Sequence, residues 1–289
     1  MLDYHAVKNW GFANLPVVCR ADDCMLYALS LGCGKDAASD PRYLQYVYEE
    51  GLRVLPTMAV TLGFPGFWMK DPRTGIDSAK LVHGEQRMYM HRPIPLEEPL
   101  LVRNEVTAIV DKGPGRGALV VIERRLTNES GDLVARLQQV SFCRGDGGFS
   151  SGHALPDRPL EPLPAVPDRT PDQQVTMPTS LDMALLYRLC GDRNPLHADP
   201  QVAAAAGFSR PILHGLATFG LAGKTLMERV CDMDASRLTQ LSARFTAPMI
   251  PGETLATDIW REGLRVHFRC RVLERGVTVL DNGLAEVRA

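Results

Sequence analysis

The chain has 289 residues, of which 45% are hydrophobic and 23% are charged, so it is long enough for two globular domains. Its formal net charge of −2 gives no indication of nucleic-acid binding. The seven cysteines occur singly, without a CxxC pair, which is typical of a reducing compartment. No apolar run reaches the roughly 18 residues of a membrane span and no secretory signal is recognisable, so we expect a cytoplasmic protein with no membrane partner.

The first half of the chain reads as helical segments followed by strands. Alternation of apolar and polar residues predicts strands at 100–110, 117–127 and 133–143, with a turn at 128–131. Proline then recurs at positions 156, 159, 162, 164, 167 and 171. Such a segment does not pair into a central strand, because each proline lacks an N–H donor. We therefore predict an N-terminal repeat at 1–149, a linker at 150–174 and a C-terminal repeat at 175–289.

The most informative segment is Tyr-Arg-Leu-Cys-Gly-Asp-Arg-Asn-Pro-Leu-His at 187–197. Helix-forming residues at 181–189 precede it, and Gly191 suits the left-handed conformation that ends a helix. Pro195 disfavours the helical region for the residue before it. Asp192 and His197 are thus predicted to lie on one tight turn, where a carboxylate and an imidazole can form an acid/base site.

Two alternatives remain for this loop. Asx side chains often bond their own backbone, so Asp192 and Asn194 are equally typical of simple turn chemistry. A metal site formed by Asp192, Asn194, His197 and Asp199 is the other alternative, because oxygen and imidazole ligands can mix. No second His or Cys at ligand spacing supports it, and we predict no metal.

Two helices are predicted after the loop. Asp199-Pro200 is a start signal for a short helix at 201–206, which Gly207 ends. The residues at 212–223 are nearly all apolar or small, as in a helix surrounded by protein. Gly215 stands at the start of that helix, where an unobstructed backbone N–H can stabilise a developing negative oxygen. The alternative is that this glycine only permits close packing.

The chain carries an internal duplication. Leu26-Tyr27 corresponds to Leu186-Tyr187, 54–57 to 212–215, and 93–100 to 248–255, at offsets of about 160 residues, which implies two halves of one fold. The second half also shows alternating strands at 254–260, 264–275 and 277–287. The first half has Leu-Gly-Cys-Gly-Lys-Asp at 31–36 in place of the acid/base loop, and Thr57 in place of Gly215. We expect the first half to be catalytically silent.

The pattern Gly191-Asp192-x-Asn194-Pro195-x-His197, followed by Pro-Ile-Leu-His-Gly at 211–215, resembles the signature of the MaoC-like, (R)-specific 2-enoyl-CoA hydratases of the hydratase-2 type. The resemblance extends over almost the whole chain. It includes Tyr27-Ala-Leu, Tyr48-Glu, Leu55-Pro-Thr, His83-Gly-Glu-Gln, Gly147-Gly-Phe and Ala243-Arg-Phe. It implies an α+β fold, a double hotdog, in which two hotdog repeats each wrap an antiparallel sheet around a central apolar helix.

The resemblance implies reversible hydration of a trans-2-enoyl-CoA to a (3R)-hydroxyacyl-CoA, with an acyl-CoA as the partner and no cofactor. Asp192 and His197 would hold a water between them, remove one proton from it and return a proton to C2. Asn194 would orient the water or the Asp. The Gly215 N–H would bind the thioester oxygen.

Further residues are expected to bind the substrate. Coenzyme A carries phosphates, so we expect basic residues at the mouth of the tunnel, with Arg244 as the first candidate and Arg210 and Lys224 behind it. The resemblance also implies a tunnel lined by His83 and Gly84. In this tunnel, the first half of the chain would leave space for a medium, long or bulky acyl chain.

Glu49 is expected to pair with Arg188 and fix the catalytic loop, with Glu50 as the alternative partner. A homodimer is also expected, since related hotdog proteins pair their subunits. Three other functions use similar residues: a dehydratase acting on carrier-protein thioesters, a non-catalytic acyl-CoA-binding module and a thioesterase. The complete set of Asp, Asn, His and Gly argues against the binding module, because a site that has lost its activity should resemble the first half.

Overall fold

The structure is a computed structural model that describes residues 1–153, 155 and 157–289, so Pro156 of the predicted linker lies outside it. The helices are α1 Tyr4–Lys8, α2 Ala21–Ser30, α3 Cys33–Ala37, α4 Met183–Tyr187, α5 Pro200–Ala205 and α6 Gly215–Val230. The strands are β1 Leu15–Val18, β2 Leu81–Met90, β3 Pro99–Asp111, β4 Ala118–Asn128, β5 Leu133–Cys143, β6 Gln173–Pro178, β7 Leu238–Phe245, β8 Thr254–Glu262, β9 Arg265–Val272 and β10 Val277–Val287.

All ten strands belong to one antiparallel sheet, in the order β1-β3-β4-β5-β2-β7-β10-β9-β8-β6. The two halves of the chain meet where β2 pairs with β7, with Met88 opposite Leu241 and Gln86 opposite Ala243. The six strands predicted from alternation are all present, and most of their ends agree within two residues. Alternation identifies them because one face of each strand packs on the core.

The second half is built around α6, whose 16 residues are mostly buried. The corresponding part of the first half is only a short 3₁₀ helix, Pro56–Val60. The two elements pack closely, because a β-carbon added at Gly223 would come within 2.5 Å of the Thr57 Cγ2. The halves thus share one sheet but differ in their central helix, one long and one reduced to a turn.

The described residues of the predicted linker form polar contacts with α1 and with the sheet. Asp157 pairs with Lys8 at 2.8 Å, and the carbonyls of Glu161 and Pro164 accept hydrogen bonds from Arg87 and Asn282. The last two positions of the linker, 173 and 174, already belong to β6. In the described part of the chain, no helix has the length and apolar character needed to cross a bilayer.

Candidate active site

The loop that carries Asp192 and His197 is fixed by its own side chains. The chain leaves α4 through a 3₁₀ turn and bends at Gly191, where φ is 131°. Asp192 Oδ1 then accepts a hydrogen bond from the Asn194 N–H at 3.1 Å. Asn194 Oδ1 in turn accepts from the Leu196 N–H at 3.2 Å and caps the turn Pro195–His197. The turn chemistry that was the alternative reading is therefore present, and it holds the candidate acid/base residues in place.

The His197 ring is held by a backbone carbonyl. Its side chain is buried, and its Nδ1 donates to the carbonyl of Ile212 at 2.9 Å. Because a carbonyl only accepts, the ring hydrogen lies on Nδ1 and the Nε2 lone pair is available. Burial lowers the pKa of His197, and the Ile212 carbonyl and the charge of Asp192 oppose this only in part. The ring is therefore neutral at pH 7 and able to accept a proton.

Asp192 and His197 come together as the sequence predicted. One ligand atom each of Asp192, His197 and His214 lie within 4.8 Å of one another. Two groups that share one bridging water lie roughly 4.5 Å apart, because each hydrogen bond is about 2.8 Å long and the two bonds meet at the water at a tetrahedral angle. At 4.8 Å or less from each other, the two groups are close enough to share a single water.

The same three side chains are the group that could hold a metal ion. The two imidazole rings are stacked, however, with centroids 3.7 Å apart and planes 27° apart. A metal binds an imidazole nitrogen in the plane of the ring, and stacked rings direct their lone pairs along nearly parallel planes. The geometry favours acid/base chemistry over metal binding here, and the lack of a metal stays a prediction.

Gly215 is the first residue of α6 and is exposed. Its N–H makes no hydrogen bond to any residue that the structure describes. A β-carbon at this position would lie 3.2 Å from the ring of Phe245. An unbonded N–H at a helix start, in an exposed residue next to His214, is a suitable place for an oxyanion donor.

His83 and Gly84 lie near Phe245. The rings of His83 and Phe245 have centroids 4.7 Å apart. Burial lowers the pKa of His83 to about 4. Gly84 lies at a bulge of β2, where a β-carbon would approach the Val140 carbonyl to 3.3 Å. The structure thus brings the predicted tunnel segment to the site.

The assignment of Lys224 to coenzyme A binding has to be corrected. Its side chain is only 2% exposed, and its Nζ donates to the Leu31 carbonyl at 3.0 Å and pairs with Asp36. The Tyr43 ring lies 5.4 Å from the ammonium. A lysine in a buried helix needs internal partners, because an unpaired buried charge is costly. This one joins the two halves from inside the protein.

The predicted pair of Glu49 and Arg188 is not formed. Glu49 and Glu50 are exposed in a turn, and no ion pair joins either to Arg188 in the described residues. The Arg188 Nε is buried without a hydrogen-bond partner in the same part of the structure. The local motif could not reveal this, because the two segments are about 140 residues apart and their relative placement depends on the fold.

Arg210 and Arg244 are both exposed, and neither forms an ion pair with a residue that the structure describes. Arg244 precedes Phe245 in β7, so its side chain leaves the strand on the opposite face. Their role in coenzyme A binding stays a prediction.

The sequence interpretation missed His214 as a site residue. It is 1% exposed and its Nε2 lies 3.0 Å from the Asp192 carbonyl, while its ring stacks on His197. Burial lowers its pKa to about 3. The sequence did contain a signal for His214. It directly precedes Gly215, the first residue of the buried helix, and so has to lie among the residues at that helix start.

Two family models match the chain. The MaoC like domain matches residues 163–283, and the MFE-2 hydratase 2 N-terminal domain matches residues 19–145. The 3-hydroxyacyl-thioester dehydratase Y of Mycobacterium tuberculosis is 42% identical over 271 residues, which cover 91% of each chain. The peroxisomal enoyl-CoA hydratase 2 of Arabidopsis thaliana is 39% identical over 92% of this chain and 89% of the relative. The chain belongs to the MaoC-like hydratases of the hydratase-2 type.

Solved structures agree with this membership. The MaoC-like dehydratase from Phytophthora capsici is 32% identical and matches with a TM-score of 0.86 over 99% of both chains. A Mycobacterium tuberculosis protein described as having a double hotdog fold matches with a TM-score of 0.55 over 96% of both chains; at 15% identity it shows the fold alone. The resemblance and the double hotdog inferred from the sequence are both confirmed.

Proposed function

We propose that this hydratase-2 family member catalyses the reversible hydration of a trans-2-enoyl-CoA to a (3R)-hydroxyacyl-CoA. The observation that carries the proposal is the cluster in which Asp192 and His197 lie within 4.8 Å of each other, beside the helix start with the available Gly215 N–H. The family supports carbon–oxygen lyase chemistry, since relatives are named enoyl-CoA hydratases.

The proposed reaction begins with the thioester carbonyl accepting the Gly215 N–H. That bond stabilises the negative oxygen that forms when water adds to C3, and one such donor typically contributes about 3 kcal/mol. His197 Nε2 removes a proton from the water held against Asp192 while the C3–O bond forms. The electrons of the double bond move to C2 and the enolate oxygen, and C2 then takes a proton from the pair on the same face.

Asn194 has a narrower part in this scheme than its position in the motif implies. Its Oδ1 is occupied by the Leu196 N–H, so only its amide NH₂ remains to orient the water or Asp192. Asp192 itself accepts from the Asn194 backbone through Oδ1. Asn194 thus contributes first by shaping the loop, and the orientation of water through its NH₂ is the additional role we propose.

The acyl chain is proposed to extend toward the first half. The support is the asymmetry of the central helices, because the turn Pro56–Val60 fills much less space than the 16 residues of α6. His83 and Gly84 would line the adjacent wall, and Arg210 and Arg244 would bind the phosphates of coenzyme A. This arrangement suits medium, long or bulky acyl groups and requires no cofactor.

A cytoplasmic homodimer completes the proposal. All seven cysteines are free, which agrees with a reducing compartment. The strands β1 and β6 each pair on one side only, and sheet edges of this kind are commonly covered by another chain. Light scattering on the purified protein tests the dimer, and imaging of the tagged full chain distinguishes the cytoplasm from the peroxisome named for one relative.

A second candidate substrate is a 3-hydroxyacyl group on a carrier protein. The relative named 3-hydroxyacyl-thioester dehydratase, at 42% identity, favours this class. The same residues would serve, and only the surface around the tunnel mouth would differ.

The deciding experiment compares hydration of crotonyl-CoA through long-chain enoyl-CoAs with the same acyl groups on carrier protein, followed by chiral analysis of the product. We expect turnover of the CoA thioesters with (3R) product. Turnover confined to the carrier protein would support the second candidate, and (3S) product or no turnover of either would contradict the proposal.

A further inference from the structure

We infer that His214 is a positioning residue that holds both members of the catalytic pair, fixing Asp192 through its N–H and supporting His197 with the face of its ring. The inference rests on the proposed hydration activity. It concerns how the pair is held and not which residues exchange protons with the substrate.

The first contact is to the backbone of the catalytic loop. His214 Nε2 lies 3.0 Å from the Asp192 carbonyl oxygen. Because the carbonyl accepts, the ring hydrogen lies on Nε2. No other donor in the described residues bonds this carbonyl. The Asx turns fix the loop after Asp192, whereas His214 fixes the peptide of Asp192 itself and thus the direction in which the carboxylate leaves the chain.

The second contact is to the ring of His197. The two rings stack with centroids 3.7 Å apart. When His197 carries the proton taken from water, a neutral aromatic face beside it attracts the positive charge, whereas a charged neighbour would repel it. His214 thus supports the protonated intermediate only as long as it stays neutral.

The surroundings keep His214 neutral. Burial lowers its pKa to about 3, with a further lowering by His197 and Arg188, while the Asp192 carbonyl opposes the shift. The Tyr187 ring lies 5.0 Å away, and its hydroxyl pKa is raised well above the ordinary value by burial. His214 therefore carries no exchangeable charge at neutral pH, which separates it from the acid/base pair.

A side chain of α6 makes a similar contact with the corresponding loop of the first half, which lacks the acid/base residues. Lys224, ten residues further along α6 and thus about 15 Å away, donates from Nζ to the Leu31 carbonyl at 3.0 Å. At the repeat offset of 160, Leu31 corresponds to Gly191, the neighbour of Asp192. The same helix therefore holds the corresponding loop of each half by a side-chain donor to a backbone carbonyl. This arrangement supports a holding role for His214.

Three substitutions separate the two contacts. His214→Gln places an amide N–H at similar reach but removes the ring, His214→Phe keeps the ring and removes the N–H, and His214→Leu removes both. With crotonyl-CoA we expect kcat to fall about tenfold for Gln and Phe and about a hundredfold for Leu, the usual scale for small misplacements of a catalytic group. KM should stay within about threefold, and both limbs of the kcat pH profile should remain.

His267→Gln is the matched control, because His267 is another buried histidine with an unpartnered Nδ1, located on β9 away from the loop. We expect it to keep the wild-type kcat. A folded His214→Leu with kcat within twofold of wild type would overturn the inference. An equal fall in all three variants, or the loss of one pH limb in His214→Gln, would also overturn it.

A measurement on the unmodified protein is independent of these variants. The ¹⁵N shifts of the His214 ring should report one neutral tautomer, with hydrogen on Nε2, from pH 5 to 9. Titration within this range would contradict the inference. An inactive wild-type protein would instead reject the proposed function and leave these shifts as a separate result.

Discussion

The ring of Phe245 lies 3.2 Å from the position that a β-carbon would occupy at Gly215. This spacing is tighter than ordinary van der Waals contact, so a side chain at residue 215 would displace either the ring or the helix start. The centroid of the same ring lies 4.7 Å from that of His83. Phe245 thus leaves little room for a side chain where the proposed oxyanion donor begins α6.

Gly215→Ala should lower kcat for crotonyl-CoA by about tenfold to a hundredfold, because the added methyl moves the N–H away from the thioester oxygen. Steady-state kinetics measure this. Gly11→Ala is the control, since a β-carbon there meets nothing within 4 Å. Wild-type kcat in Gly215→Ala would remove this N–H from the mechanism.

Asp192→Asn and His197→Ala should each lower kcat by about two orders of magnitude or more, the usual size of general acid/base effects. The Asn variant keeps an acceptor for the Asn194 N–H, so the loop should keep its turn while losing the charge. Hydration kinetics and thermal unfolding together separate activity from folding. Turnover close to wild type in a folded variant would exclude that residue.

The protein should become less stable as the pH falls from 7 to 5. Burial lowers the pKa of His83 to about 4 and of His214 to about 3, from an ordinary 6.5. Below pH 6.5 these two histidines therefore bind protons in the unfolded chain but not in the folded protein. The stability present above pH 6.5 is lost as the pH falls toward their pKa values in the folded protein. Each ring should cost about 2 kcal/mol at pH 5.

Urea unfolding at pH 7, 6 and 5 measures this loss. His83→Gln should remove the part of this loss that comes from His83, so that the unfolding free energy depends less on pH. A wild-type protein equally stable at pH 5 and 7 would contradict the burial of these two rings.

Lys224→Met should destabilise the protein by about 1 to 3 kcal/mol without raising KM for the CoA substrate. The cost arises because Asp36 and the Leu31 carbonyl lose their partner, and it is moderated because the Asp36 side chain is 37% exposed. Chemical unfolding and steady-state kinetics measure the two quantities. A raised KM with unchanged stability would restore the role in substrate binding.

Arg210→Gln and Arg244→Gln should raise KM for the CoA substrate several-fold and weaken its dependence on salt, since exposed charges that bind phosphate are screened by ions. Arg103→Gln, which removes an exposed arginine from β3 in the other half, is the control. Unchanged KM at low and high salt would show that neither arginine binds coenzyme A.

Features that depend on neighbours in sequence were predictable. The helix Pro200–Ala205 begins as predicted, with Asp199 accepting from the Gln201 N–H at 2.8 Å. The long helix was correctly placed from its apolar run, although it continues to Val230. The helix before the loop, Met183–Tyr187, is shorter than the predicted 181–189.

The sequence by itself determined the turn at 191–197 and the strands, because Asx turns, a proline, a glycine and apolar alternation act over a few residues. Only the tertiary structure decided which distant groups meet. It buried Lys224 against Asp36, left Glu49 in solvent and stacked His214 on His197. Those outcomes depend on how a shared sheet and one helix bring two halves together, and no local pattern encodes the relative placement of residues so far apart along the chain.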